Sequence, residues 1–131
     1  MSFDILPRRF SISIDGQPIA MPTSVPDRTQ AQPVGPGGFQ PAVFEVWNEH
    51  LVAGPFVMGR VFAEDRSLMP KRVVWCERDD VNQVQPVQVQ MGEDGPQIKL
   101  SGGGMAFHEG RLVSPLLPGQ LNQIVKIVPV P

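Results

Sequence analysis

The chain has one cysteine, Cys76, no tyrosine, and no apolar run near the roughly 18 residues of a membrane span. A single cysteine excludes an intramolecular disulfide and leaves the redox compartment unread. The missing tyrosine removes a favoured residue of adaptable contact surfaces and counts slightly against a glycan-binding face. Charge is also sparse: 18% of residues are Asp, Glu, Lys or Arg, against the roughly 25% of ordinary soluble domains. The net charge is −2, and basic residues cluster only as the pairs Arg8-Arg9 and Lys71-Arg72. Nucleic acid is therefore not an expected partner, because binding its backbone needs a patch of Lys and Arg. The N-terminal stretch MSFDILPRRFSISI lacks a basic segment followed by an apolar one, so no signal peptide is evident. The expectation is a soluble chain made in the cytosol, with no membrane partner.

Room for helix is scarce as well. Fifteen prolines and thirteen glycines are spread along the 131 residues, and few windows of ten escape them. The two stretches nearest to a helix, Asn48 to Ala53 and Gln120 to Ile127, lack an apolar stripe over two turns. No internal repeat is evident. The hydrophobic fraction of 41% is nevertheless too high for wholesale disorder.

What remains reads as short strands. Phe10 to Ile14 alternates strictly, and Asp15-Gly16 before Gln17 to Met21 is a hairpin signal. Pro18 marks the return strand as short or at an edge. Ala42 to Trp47 puts Ala42, Phe44 and Val46 on one face. Asn48 to Leu51 is turn-like, Phe56 to Ala63 is a strand with Gly59 a candidate bulge, and Arg72 to Glu77 is β-rich. Val81 to Met91 alternates best, with Val87, Val89 and Met91 opposite Gln88 and Gln90. Glu93-Asp94-Gly95 turns it back into Gln97 to Leu100. Met105–Phe107 and Arg111–Val113 flank His108-Glu109-Gly110, and Ile124 to Val130 is a strand or an extended tail. The fold class is all-β: a small antiparallel β-sandwich or barrel. Residues 1–9 form an N-terminal arm and residues 10–131 a single β-domain. That domain contains a Pro/Gly-rich loop at 22–41 and an extended C-terminal tip at 128–131.

The chemistry-bearing residues do not converge on a motif. Cys76 lies among bulky apolar residues, where a thiol packs as a small core side chain. One cysteine and two distant histidines, His50 and His108, lack zinc-ligand spacing. Glu77, Asp79 and Asp80 surround Arg78 without a calcium-loop pattern and read as a solvated turn, as does Glu64-Asp65. Ser101-Gly102-Gly103-Gly104 lacks the Lys-Ser/Thr of a phosphate loop and reads as a turn or a close backbone approach. There is no G-x-S-x-G. Were the chain an enzyme, His50 or His108 would be the general base.

No catalytic, cofactor or metal residue is nominated, and no cofactor is expected. The expected function is a non-enzymatic structural or assembly protein whose partners are other protein subunits, its own copies or a different structural protein. The Pro/Gly-rich run invites the expectation that a neighbouring subunit holds it still. Candidate partner-contact residues are Phe3, Ile5 and Leu6 in the arm, Phe39 in the loop, Gln88 and Gln90 on the alternating strand, and Val128 and Val130 at the tip. By analogy, a virion is a natural home, as a minor, cement or connector component of a capsid or tail. The alternative is a small β-domain that binds a ligand or glycan, with Trp47, Trp75 and Phe107 as its platform.

Overall fold

The computed structural model describes residues 3–26, 28–35, 39–117 and 119–131. Met1 and Ser2 of the arm, positions 27 and 36–38 of the Pro/Gly-rich run, and position 118 of the 115–119 loop lie outside the described residues. The fold is all-β and wholly antiparallel, with several small sheets, consistent with a sandwich.

Strand β1, Phe10–Ile14, buries Phe10, Ile12 and Ile14 on one face, as its alternation requires. Asp15 and Gly16 both take positive φ and return the chain into β2, Gln17–Pro18. Two residues with positive φ match the twist of the flanking strands. Strand β2 is short and lies at a sheet edge, where Pro18 costs no ladder bond.

A four-stranded sheet follows, in the order β3 (Glu45–Trp47), β4 (His50–Ala53), β5 (Phe56–Gly59) and β7 (Val74–Glu77). Its strands β4 and β5 and residues 74–76 of β7 are buried on both faces, while Glu45 and Trp47 of β3 are exposed. Leu51, Met58 and Trp75 stand opposite one another in register and enter the main core. Val52, Val57 and Cys76 point the other way into a second cluster with Val74 and Val84. A 3-10 helix, Arg78–Gln83, and the residues after it cover that second face. Gly59 continues regular pairing with Val74, so it is not a bulge. A side chain there would stand 2.7 Å from Val84 Cγ1, so the glycine is what lets Val84 lie on the sheet.

At Val73 the chain changes sheets. Strand β6, Lys71–Arg72, pairs with β11, Arg111–Ser114, which in turn pairs with β10, Ala106–His108. Strands β8 (Val87–Gly92) and β9 (Gly95–Leu100) form a hairpin with Val87, Val89, Ile98 and Leu100 inward. Strand β12, Val125–Pro129, pairs along the full length of β1.

Over its described residues the Pro/Gly-rich run holds no named strand, yet its backbone finds hydrogen-bond partners within this chain. Ala31 donates to Val73 O and accepts from Leu112 N, Trp75 N donates to Thr29 O, and Val34 N donates to Pro18 O. Thr29 to Ala31 thereby fills the interval between β7 and β11. One difference follows from local chemistry. Asn48 and Glu49 have positive φ and form a two-residue turn, so His50 to Ala53 is a strand and not a turn or helix. No helix forms within Gln120 to Ile127, where β12 already begins at Val125. The described residues at both ends, from Phe3 and up to Pro131, lie on the domain. Phe3–Ile5 is a 3-10 turn packed on the core, and Leu6 is buried in it. Val130 N donates to Arg9 O, and Arg9 donates back to Pro131 O.

The contact at Gly59 makes a test. Gly59→Ala forces a methyl into Val84 and is expected to lower stability by about 1–3 kcal/mol. In a urea-unfolding double-mutant cycle, Val84→Ala should recover part of that loss. Simple additivity of the two substitutions would show that the contact does not govern the site.

Candidate functional site

The connection between β5 and β6, residues 60–70, combines two features that rarely coincide. Its backbone is pinned at both ends by charged side chains, yet its tip exposes large apolar ones. At the first end, Arg60 is buried and makes a two-pronged contact with Glu64, Nη2 to Oε1 at 2.7 Å and Nε to Oε2 at 3.1 Å. Its remaining Nη1 donates to Leu100 O and Ser101 O, which ties the connection to the end of β9. Gln85 adds a bond to Glu64 and another to Val61 O. This carboxylate is therefore part of a buried ion pair, not the solvated turn residue that its sequence context suggests. A bidentate guanidinium–carboxylate pair fixes geometry as well as charge.

At the second end, Lys71 is buried and its Nζ donates to the Asp65 carboxylate, to Asp65 O, and to Ser67 O at 2.7 Å. Ser67 donates in turn to Asp65 Oδ1 from both Oγ and N. These bonds, with that of Lys71 first, hold the Asp65 carboxyl at a pKa of about 2, well below its ordinary 3.8. Between these anchors Phe62, Leu68 and Met69 stand 63–67% exposed. Gln120 Nε2 bonds Leu68 O, which brings the 115–120 loop and exposed Leu117 alongside.

A groove of about 500 Å³ lies on the other side of that loop, between Gln97–Lys99 and Ile124–Val125, with Met105 and Leu116 in its lining. Its loop wall is held by side-chain amides. Gln120 Oε1 accepts from Leu116 N and Leu117 N, and Gln123 pairs with both backbone groups of Phe107 at 2.8 Å. Lys99 is the one charged residue in the lining.

The residues nominated from sequence do not gather at one place. Leu6 is buried, with Phe3 and Ile5 packed on the core beside it. Phe39 is exposed at a smaller hollow beside Met21 and Trp75. Gln88 is engaged within the chain, accepting from Gly102 N and donating to Pro86 O. Gln90 is exposed on the same face of β8. Val128 is exposed on the outer face of β12, and Val130 is half-buried at its end. Sequence reading missed Phe62, Leu68 and Met69. Their signal was three large apolar residues in a connection otherwise rich in charge, a pattern that alternation does not detect.

The reactive residues are committed elsewhere. His50 Nδ1 lies 2.7 Å from Asn48 O and Nε2 lies 2.8 Å from Val84 O, so the ring cross-links a turn to the covering segment. A general base needs a nitrogen open toward substrate, and both of these face main-chain oxygen. Burial pushes the Cys76 thiol up, away from the reactive thiolate. His108 is exposed, 3.8 Å from Glu109. Among the described residues, no group of three or more His, Cys, Asp or Glu side chains converges as metal ligands would. Trp75 is inside the core while Trp47 is outside it with Arg78 over its ring at 4.5 Å, so one surface cannot present both indoles. Among the described residues no helix is long and apolar enough to cross a membrane.

The chain matches no protein-family model, no curated protein and no solved structure.

Two predictions concern the pinned connection. Removing one partner of a buried ion pair leaves the other uncompensated, so Glu64→Ala should cost about 3–5 kcal/mol in chemical unfolding. A cost under about 1 kcal/mol would mean that Arg60 is served by the carbonyls alone. The Asp65 carboxyl is lowered in the fold, so its contribution is present above its ordinary pKa of 3.8 and is lost as pH falls through about 2. Carboxyl and Ser67 amide NMR shifts should titrate together near pH 2. A midpoint near 4 would disconnect Asp65 from Lys71.

Proposed function

We propose that this chain is a structural or assembly protein that works by contact with other protein subunits and carries no catalysis of its own. The observation that supports this reading most is the apolar display of Phe62, Leu68 and Met69 on a connection whose backbone is already fixed. Surface loops are usually polar and mobile. Buried Arg60 and Lys71 instead hold this one in a single shape while its apolar side chains face water. Such a preformed apolar patch suits protein recognition, because little ordering cost remains to be met on binding. The low charge of the chain agrees, since interface centres are depleted in charged residues.

The setting proposed is a multi-subunit assembly, of which a viral capsid or tail is the analogue named by fold and composition alone. The arms expected to reach across to partners contribute less to this reading than the connection does, because the described residues at both ends lie on their own domain. The alternative, a ligand-binding module, draws on the groove between β9 and β12 but loses its shared tryptophan platform.

The test is a paired substitution, Leu68→Glu with Met69→Glu. Both side chains are exposed, so stability should change by less than about 0.5 kcal/mol. Self-association measured by light scattering, or co-assembly with a partner encoded alongside the chain, should be lost. Retention of the native assembly by the double variant would overturn the reading.

A further inference from the structure

The groove between β9 and β12, about 500 Å³, falls within the size range of small-molecule sites. The two strands approach within 8 Å between Cα atoms. A strand seated between two others needs them roughly 9.5 Å apart, so a small molecule fits this groove where a polypeptide strand does not. Ile98, Met105, Leu116, Ile124 and Val125 supply the apolar part of the lining.

The polar part of the lining favours an anion. Lys99 is its one charged residue, and its ammonium has neither ion pair nor hydrogen bond among the described residues. The hand of the main chain also alternates along the loop wall. Gly119 has φ 85° and Leu121 has φ 44°, while Gln120 between them does not take positive φ. Successive residues of opposite hand turn their N–H groups toward a common concavity, which suits an anion. Gln120 N is bonded to Leu117 O, whereas the N–H groups of Leu121 and Asn122 bond no described residue. Leucine rarely adopts positive φ, and backbone strain of this kind gathers at ligand sites. The strained wall is held in place by the Gln120 side chain, which accepts from Leu116 N and Leu117 N and donates to Leu68 O.

We infer that this groove binds a small organic monoanion, a carboxylate carried on an apolar chain, with Lys99 and the N–H groups of Leu121 and Asn122 receiving the carboxylate. A single ammonium matches a single negative charge. A phosphate head, carrying about −1.5 to −2, would exceed the one cation that the lining holds. The apolar side chains take the chain of the ligand. The side-chain amides of Gln97 and Asn122 also line the groove and bond no described residue, so they are available to a polar substituent on that chain. The inference goes beyond the assembly reading and does not rest on the apolar tip of the 60–70 connection.

The test is a titration of the isotope-labelled full chain with sodium octanoate, followed by amide NMR, with octanol as the neutral control. Saturable shifts are expected at Lys99, Leu121 and Asn122, half-complete at or below about 5 mM octanoate. Octanol, which has the same chain without the charge, should bind at least about tenfold more weakly. Lys99→Met keeps an apolar stem and loses the ammonium, so it should weaken octanoate about tenfold and leave octanol unchanged. Lys99→Arg should restore most of the octanoate affinity. Leu121→Pro removes one N–H and the positive φ together, and should weaken octanoate while the amides of β1 keep their shifts. Several outcomes overturn the proposal: no half-saturation at these amides by about 5 mM octanoate, equal binding of octanol, or unchanged octanoate binding in Lys99→Met. Shifts confined to Phe62, Leu68 and Met69 would overturn the groove and leave the assembly reading standing.

Discussion

The stack of Trp75 on Phe44, and of Phe44 on Phe10, is the interaction on which the fold depends. The rings of Phe44 and Trp75 lie nearly parallel, 4° apart, with centroids at 5.7 Å, and Phe10 follows at 6.2 Å. Each ring comes from a different part of the chain: Phe10 from β1, Phe44 from the approach to β3, Trp75 from β7. Phe10 and Phe44 also exchange both backbone hydrogen bonds. The sheets hold two to four strands each, and a piece of that size is marginal alone in water. The stack gives them a common interior. Ala31, bonded to Val73 on one side and Leu112 on the other, joins the same pieces through the main chain.

A second constraint runs from the far face of the four-stranded sheet to the exposed connection. Because Gly59 has no side chain, Val84 lies directly on β5. That contact sets the course of the next residues: Gln85 N donates to Arg60 O, and Phe62 N donates to Gln83 O. Arg60 is thereby directed at Glu64 and at the end of β9, which gives the connection its shape within this chain. The apolar tip is a consequence of core packing transmitted through hydrogen bonds, not of a loop that chanced to be hydrophobic.

The legible parts of the fold were those in which one strand face meets water. Phe10 to Ile14 and Val87 to Val89 alternate because each has a core side and a solvent side. Asp15-Gly16 and Glu109-Gly110 were legible because glycine at positive φ is turn chemistry. His50 to Ala53 was not, because a strand buried on both faces loses its alternation and reads like any short apolar run. The intrachain partners of the Pro/Gly-rich run were hidden for a different reason. Its order comes from Val73, Trp75 and Leu112, more than forty positions away, and composition carries no trace of such partners. The exposed connection was hidden by its charges. Glu64 and Asp65 look solvated until Arg60 and Lys71 are placed beside them.

On the assembly reading proposed above, a tip of Phe62, Leu68 and Met69 would recognise shape and apolar area, and would select among partners only as finely as packing allows. With a net charge of only −2, the chain has little long-range field to steer encounters. Partners chosen by such a surface are chosen mainly by how slowly they leave. For a subunit held by many simultaneous contacts that is sufficient, since modest contacts joined in one assembly reinforce one another through effective concentration. On that reading a free monomer relying on the tip alone would hold its partner weakly, and the sparse charge that gives little steering at a distance is the same property that would let neutral, apolar surfaces meet without repulsion.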